Sequence, residues 1–132
     1  VNGHISNINF NIHDKDHMVR ATLEGIAFAL VYGIEILKND GVVIENLKVG
    51  NDNLFLSDVF SKTIADTLGI SIQMLEATGA EGAAKASIAG LSGTQSNDNI
   101  SITKTIKPNL QSQEQSISAF VKWKTQLFNN II

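Results

Sequence analysis

Cysteine is absent from this chain of 132 residues, and there is a single proline. Without thiols there are no disulfides and no thiolate metal sites, which suits a reducing compartment such as the cytoplasm. Lys and Arg number 10 against 13 Asp and Glu, so no basic excess is present to hold a nucleic-acid backbone. Long apolar runs are also lacking, since none approaches the roughly 20 residues of a membrane span. We therefore expect neither nucleic acid nor a membrane as a partner.

Apolar residues are plentiful by contrast and make up 43% of the chain, which is enough for a buried core. The length suits a single domain over residues 1–132. The chain opens on Val1-Asn2-Gly3 with no initiating methionine. We expect it to be a piece of a longer protein.

Strand-like and helix-like patterns alternate along the chain. The predicted strands are 5–12, 42–49, 70–75 and 100–106. The first predicted helix runs from the cap Asp14 to about Asp40-Gly41, the second from the cap Ser57 to Gly69, and the third from Gly79 to about Leu91. The last predicted helix begins at Ser112 or Gln113. A polar loop is predicted over 91–99. This alternation favours parallel pairing through right-handed crossovers. The predicted class is α/β, with a mostly parallel sheet flanked by helices.

The segment from residue 49 to residue 91 contains two successive units, each with the pattern of a strand, a glycine-led turn and a helix. Backbone N–H groups at such turns and helix starts attract phosphate or other polar groups of a nucleotide. The sequence therefore predicts one nucleotide site built from both units. Its candidate residues are Gly50, Asn51, Asp52 and Asn53 in the first turn, and Gly79, Ala80, Glu81, Gly82 and Ala83 at the second helix start.

Five short motifs occur in a fixed order over nearly the whole chain. They are Arg20-Ala21-Thr22-Leu23-Glu24-Gly25-Ile26-Ala27-Phe28, Ser57-Asp58-Val59-Phe60, Ala65-Asp66-Thr67-Leu68-Gly69, Gly82-Ala83-Ala84 and Pro108-Asn109. In order and spacing they resemble the carboxyl-terminal domain of the FGGY carbohydrate kinases, and most closely the xylulokinase-like members.

This resemblance implies a ribonuclease H-like, actin-like ATPase domain that binds ATP or ADP with Mg²⁺. The whole enzyme would transfer the γ-phosphoryl group of ATP to a xylulose-like ketopentose or a related sugar or polyol. An amino-terminal domain of the same polypeptide, missing here, would bind most of the sugar and supply the catalytic base. We therefore expect no catalytic residue in this fragment and no activity from it alone. Mg²⁺ is expected to be held by phosphate oxygens and water rather than by this chain. Whether the protein forms a homodimer is left open by the sequence.

The first turn departs from the family pattern, because only Gly50 remains of its consecutive glycines and Asp52 adds a carboxylate. Repulsion between that carboxylate and phosphate favours contact with adenine over contact with phosphate. The same departure leaves a non-catalytic scaffold or interaction domain open as the alternative. An NAD-binding Rossmann domain is less favoured, since no G-x-G-x-x-G follows a strand.

Two pairs of polar residues spaced four apart have competing interpretations. His13 and His17 lack an evident third ligand, so solvated histidines are favoured over a metal site. Arg20 and Glu24 fit a surface ion pair and a contact with the missing domain equally well.

Other residues are assigned mainly to structure. Gly25 and Gly33 are expected to permit close helix packing, and Asp66 is expected to be solvated. The run 54–56 is expected to fill the local core, with the wall of an adenine slot or a contact with the missing domain as the alternatives. Trp123 is expected to pack in the core or at a subunit contact.

Overall fold

The computed structural model describes residues 3–93 and 101–131, and side chains up to residue 129 within these ranges. Its helices are α1 (Lys15–Asn39), α2 (Asp58–Leu68), α3 (Gly79–Ser92) and α4 (Leu110–Ile131), and its strands are β1 (Asn46–Gly50), β2 (Ser71–Leu75) and β3 (Ile102–Ile106). The predicted α/β class is confirmed. Of the predicted loop, residues 91 and 92 belong to α3, and residues 94–99 lie outside the described residues, as does residue 100 of the predicted fourth strand.

The three strands form one mixed sheet in the order β1-β2-β3. β1 and β2 are parallel as predicted, whereas β3 runs antiparallel to β2. A parallel third strand would require a helix that crosses the sheet and returns the chain to the amino end of β2. α3 buries none of its residues, and Ile102 pairs with Leu75 at the carboxyl end of β2. The parallel pairing predicted for the last strand is therefore wrong.

The amino-terminal segment 5–12 was predicted as a strand, and this is also corrected. Its backbone bonds locally, since Ile12 N donates to the Asn9 carbonyl at 3.0 Å and Asn11 N donates to Asn9 Oδ1 at 3.0 Å. Asn7 adopts a left-handed conformation with φ 59°. Short asparagine side chains offer the backbone such local bonds in place of a strand partner.

β1 is shorter than the predicted strand 42–49 because the end of α1 uses the preceding residues. Gly41 has φ 90°, its N–H donates to the Lys38 carbonyl at 3.0 Å, and Val42 N donates to the Leu37 carbonyl at 3.0 Å. These two bonds form a Schellman motif, which closes a helix through a left-handed glycine. The strand therefore begins at Asn46.

The core lies between the sheet and the helices α1, α2 and α4. It consists of Ala27, Phe28, Val31, Phe60, Ile64, Ala65, Ile72, Met74, Ile106 and Phe120. Trp123 packs against this cluster, with ring centroids 6.1 Å from both Phe28 and Phe120, which agrees with its predicted structural role. A Cβ at Gly25 would lie 3.7 Å from Trp123, an ordinary contact distance, whereas one at Gly33 would meet no described atom within 4 Å. The prediction that Gly33 permits close helix packing is therefore wrong.

Asp66 is buried rather than solvated, with 7% of its surface exposed. Its Oδ1 accepts from Asn109 N at 2.7 Å, and its Oδ2 accepts from the Ser112 hydroxyl at 2.7 Å. Asn109 in turn accepts from Gln111 N through Oδ1 at 3.0 Å. These bonds satisfy donors at the start of α4, which explains why that helix begins at Leu110 and not at residue 112 or 113.

Ion pairs join several of the elements. Asp58, at the start of α2, accepts from Lys104 Nζ of β3 at 3.1 Å and from Lys62 Nζ at 3.4 Å. These two hydrogen bonds lower the pKa of Asp58 from its usual value. Lys124 of α4 donates to Glu35 of α1 at 2.6 Å. No helix within residues 3–93 and 101–131 combines the length and apolar content needed to cross a membrane.

Candidate functional site

The carboxyl ends of β1 and β2 lie side by side. In the parallel register Gly50, the last residue of β1, is paired with Leu75, the last residue of β2. Asn51 N donates to the Leu75 carbonyl at 3.1 Å, which extends the pairing by one bond. Ligands of open α/β sheets bind outside the carboxyl ends of the strands. Both predicted turns therefore begin at the edge where such a site is expected.

The two turns are joined by a direct hydrogen bond. Asp52 Oδ2 accepts from Gly79 N at 3.1 Å across 27 residues of sequence. Asn53 follows with φ 51°, a left-handed conformation that asparagine tolerates. Residues 53–56 form a short 3-10 helix that leads into α2. Ser57 caps α2, because its hydroxyl oxygen accepts a hydrogen bond from Phe60 N at 3.4 Å.

Gly50 is required by the closeness of the second turn. A Cβ at this position would lie 2.7 Å from the Ala77 carbonyl oxygen and 3.1 Å from Gly79 N, both of them backbone atoms. A side chain here would therefore force the two turns apart.

Replacing Gly50 with alanine is expected to lower the free energy of unfolding by about 1–3 kcal/mol, because overpacking against backbone costs that much. The Gly79 amide resonance should also move as its bond to Asp52 lengthens. Chemical denaturation and amide NMR measure the two effects. The matched control is Gly33→Ala in α1, where the added methyl meets open space and better helix propensity should stabilise the chain by up to about 1 kcal/mol. Equal stability of Gly50→Ala and the parent chain would contradict this account.

The start of α3 is closed by a capping box. Thr78 Oγ1 accepts from Glu81 N at 3.3 Å, and Glu81 Oε2 accepts from Thr78 N at 2.7 Å. The sequence pattern T-x-x-E is the signature of this motif. It was present in the sequence, so the capping role of Thr78 was a missed prediction.

A cavity of about 530 Å³ lies between the two turns, a volume within the range of small-molecule sites. Its lining is mostly apolar, and its polar groups lie on the two turns and on Lys48. The lining residues are Lys48, Val49, Gly50, Asp52, Asn53, Leu54, Phe55, Phe60, Leu75, Ala77, Thr78, Gly79 and Gly82. Phe55 and Phe60 meet edge to face, with ring centroids 5.2 Å apart.

Five of the nine predicted site residues line this cavity, namely Gly50, Asp52, Asn53, Gly79 and Gly82. The other four, Asn51, Ala80, Glu81 and Ala83, do not line it. Glu81 still contacts the site through the capping box. Of the run 54–56, Phe55 both packs on the core and walls the cavity, whereas Leu56 is 62% exposed. The walls that sequence reasoning missed include Ala77, which lies in the same turn as Gly79, and Phe60 of α2, which only the tertiary fold brings here.

The remaining polar candidates lie away from this cavity. His17 Nδ1 is 2.6 Å from Asp14 Oδ1, and the hydrogen bonds from His17 lower the pKa of that carboxyl. His13 Nδ1 accepts from Asn9 N at 3.1 Å. Among the described residues no group of three or more His, Cys, Asp and Glu side chains is placed to hold a metal ion.

A second cavity, of about 570 Å³, is lined by parts of α1, α2 and α4. Arg20 and Glu24 line it and form an ion pair at 2.8 Å, with 66% of the Arg20 side chain exposed. The other charged side chains there, Asp58, Lys62 and Asp66, also have partners. All five charged side chains that line this cavity therefore have partners within the chain, and the contact of Arg20 and Glu24 with a missing domain stays a prediction.

Two solved kinases share the fold of this chain. The xylulose kinase from Rhodospirillum rubrum aligns over 94% of the chain with a TM-score of 0.73 and 20% sequence identity. A structure described as a xyloylose kinase from Brucella ovis aligns over 96% with a TM-score of 0.74 and 22% identity. The chain spans about a quarter of the length of each, 26% and 27% respectively. No family model and no curated protein matches the sequence.

The chain therefore shares the fold of about a quarter of each of these two kinases. The predicted resemblance to the xylulokinase-like FGGY kinases is thus confirmed in three dimensions. Identities of 20% and 22% establish the fold and leave the chemistry to be argued from the residues of this chain.

Proposed function

We propose that this chain is the nucleotide-side domain of an ATP-dependent carbohydrate kinase of the cytoplasm. ATP would bind at the edge formed by the ends of β1 and β2 and give its γ-phosphoryl group to a hydroxyl of a xylulose-like ketopentose or a related sugar or polyol. The amino-terminal domain of the same polypeptide would bind the sugar and supply the base. The fragment alone would then be inactive.

The observation that carries the proposal is the convergence of the two turns on one cavity. Gly50 and Gly79 belong to separate strand-turn-helix units, and both line the same space. Phosphoryl transfer depends on positioning and electrostatic stabilisation more than on covalent chemistry, so a domain that only holds the nucleotide contributes to catalysis. The likeness to solved xylulose kinases supports the sugar class.

Mg²⁺ would arrive with ATP. Among the residues that the structure describes, Asp52 is the one carboxylate that lines the cavity, and a single carboxylate does not make a metal cage. Phosphate oxygens and water would therefore supply most of the ligands. When bound, the ion would neutralise charge on the transferred phosphoryl group.

Titration of the ¹⁵N-labelled chain with MgADP tests the site. We expect weak binding that moves the amides of residues 50–53 and 79–83. Gly82→Phe should weaken binding about tenfold or more, because Gly82 lines the cavity and a side chain there enters open space. The matched control is Gly90→Phe on the same helix, where a side chain also meets open space outside the cavity. Amides that stay still at millimolar MgADP, or equal losses in both variants, would refute the site.

The alternative is a scaffold domain that has kept the fold and lost the phosphate contacts. The bond from Gly79 N to Asp52 favours it, because a donor of the turn is already used within the chain. A coupled kinase assay on the full-length parent with a panel of pentoses and polyols separates the two. Turnover of any of them supports the kinase, and a silent parent supports the scaffold.

A further inference from the structure

Three neutral polar side chains at the second cavity, between α1, α2 and α4, have no partner in the part of the chain that the structure describes. Thr63 of α2 and Gln115 and Ser116 of α4 line this cavity of about 570 Å³, and none of their side chains forms a hydrogen bond with a described residue. The charged side chains that line the cavity, by contrast, all have partners. The free hydrogen-bonding capacity of this cavity therefore belongs mainly to neutral groups.

Thr63 is the most informative of the three because it is buried, with 8% of its surface exposed. A helical threonine often donates to the carbonyl one turn earlier, as Thr67 does to the Thr63 carbonyl at 2.6 Å, but the Thr63 hydroxyl forms no such bond. Among the described residues no side-chain oxygen or nitrogen is both enclosed and without a partner, so the Thr63 hydroxyl is open to the cavity that it lines. This hydroxyl therefore requires a partner from outside the chain, either water or a ligand.

The ion pairs at this cavity favour a neutral ligand. Glu24 pairs with Arg20 at 2.8 Å. Asp58 accepts from Lys62 at 3.4 Å and from Lys104 at 3.1 Å. A charged ligand would have to break one of these pairs to gain a counter-ion, and it would face a like charge there. A hydroxyl group can join without breaking a pair, because a paired carboxylate keeps free lone pairs and a paired guanidinium keeps free N–H groups.

We propose that the cavity between α1, α2 and α4 binds a small neutral molecule with several hydroxyl groups, of the polyol class. Its hydroxyls exchange hydrogen bonds with the three free side chains, and its carbon chain lies against the apolar walls, which are Phe28, Val59 and Ala119. Apolar walls with a few polar groups that fix orientation are typical of small-molecule sites. Among the described residues this cavity shares no lining residue with the one between the two turns, so the proposal does not depend on the nucleotide site.

Titration of the full ¹⁵N-labelled chain compares three linear polyhydroxylated probes, which at neutral pH are the neutral sorbitol, the anion gluconate and the cation N-methylglucamine. We expect sorbitol to shift the amides of residues 63–66 and 115–116 in a saturable way, with a dissociation constant of about 1–10 mM. The two charged probes should bind at least about fivefold more weakly. No shift at about 100 mM sorbitol, or equal or tighter binding of a charged probe, would overturn the proposal. MgADP tests the nucleotide site separately, so either proposal can fail alone.

Thr63→Val isolates the role of the buried hydroxyl. Valine keeps the shape and removes the donor and acceptor, so sorbitol should bind about five- to tenfold more weakly. The free energy of unfolding should not fall, because the hydroxyl has no partner among the described residues to lose. The matched control is Thr67→Val, one turn further along α2, which does not line the cavity and should leave the affinity for sorbitol unchanged. Unchanged affinity in Thr63→Val, or equal losses in the two variants, would overturn the proposal.

Ser116→Ala tests the wall that α4 supplies. Ser116 lines the cavity and Ser118 does not, so Ser116→Ala should weaken sorbitol binding about threefold or more while the control Ser118→Ala leaves it unchanged. Equal affinities in these two variants would remove α4 from the site and overturn the proposal.

Discussion

Replacing Ile64 with alanine is expected to lower the free energy of unfolding by about 2–5 kcal/mol, the range for large-to-small changes in a closed core. Ile64 is fully buried in α2, which packs against α1, α4, β2 and β3. The neighbours that surround it come from several elements, so they cannot collapse easily into the space it leaves. Urea denaturation followed by circular dichroism measures the change.

The same substitution on α3 provides the control. Ile88 is 60% exposed, and α3 buries none of its residues. Ile88→Ala should change the free energy of unfolding by no more than about 0.5 kcal/mol, as surface changes do. Losses of similar size in the two variants would show that α2 is not the centre of the core.

Asp66→Ala is expected to lower the free energy of unfolding by about 2–4 kcal/mol, since hydrogen bonds to a charged acceptor are strong and the variant removes two of them. The variant would leave Asn109 N and the Ser112 hydroxyl without the acceptor they use at 2.7 Å. It would also remove a negative charge from the positive end of α4. Denaturation measures the stability, and hydrogen exchange at residues 109–113 shows whether the loss falls on the start of α4.

Asp66→Asn separates the hydrogen bonds from the charge. An asparagine can accept from Asn109 N and donate to the Ser112 oxygen, so it should lose about 1 kcal/mol, clearly less than the alanine variant. A loss in Asp66→Ala spread evenly over the exchange rates of all helices, or no loss at all, would refute the role assigned to this carboxylate.

Local signals in the sequence predicted the helix ends well. Asp14 and Ser57 cap α1 and α2 as predicted, and Gly69 ends α2 with φ 67°. Each of these signals acts within one turn of the chain, which is why it can be read from neighbouring residues. The start of α4 was misplaced because it depends on Asp66, 43 residues before Asn109.

Long-range pairing could not be predicted in the same way. The alternating pattern of residues 5–12 describes a strand only if another strand accepts it, and the asparagines there bond locally instead. The direction of β3 likewise depends on where α3 returns the chain, and the sequence of β3 does not indicate whether it pairs parallel or antiparallel to β2. In the candidate site, Gly50 and Gly79 were found from turn chemistry. The cavity wall Phe60 was missed because folding alone places it there, whereas Ala77 lies in the second turn, two residues before Gly79, and was within reach of the sequence.

The open space around Gly82 has a practical consequence. A Cβ at this position meets no described atom within 4 Å, and the residue lies at the cavity. Because the chain contains no cysteine, a single thiol introduced there would be the sole attachment point for a fluorescent dye. The emission wavelength or intensity of that dye would then report the binding and release of unlabelled compounds in the neighbouring cavity in real time.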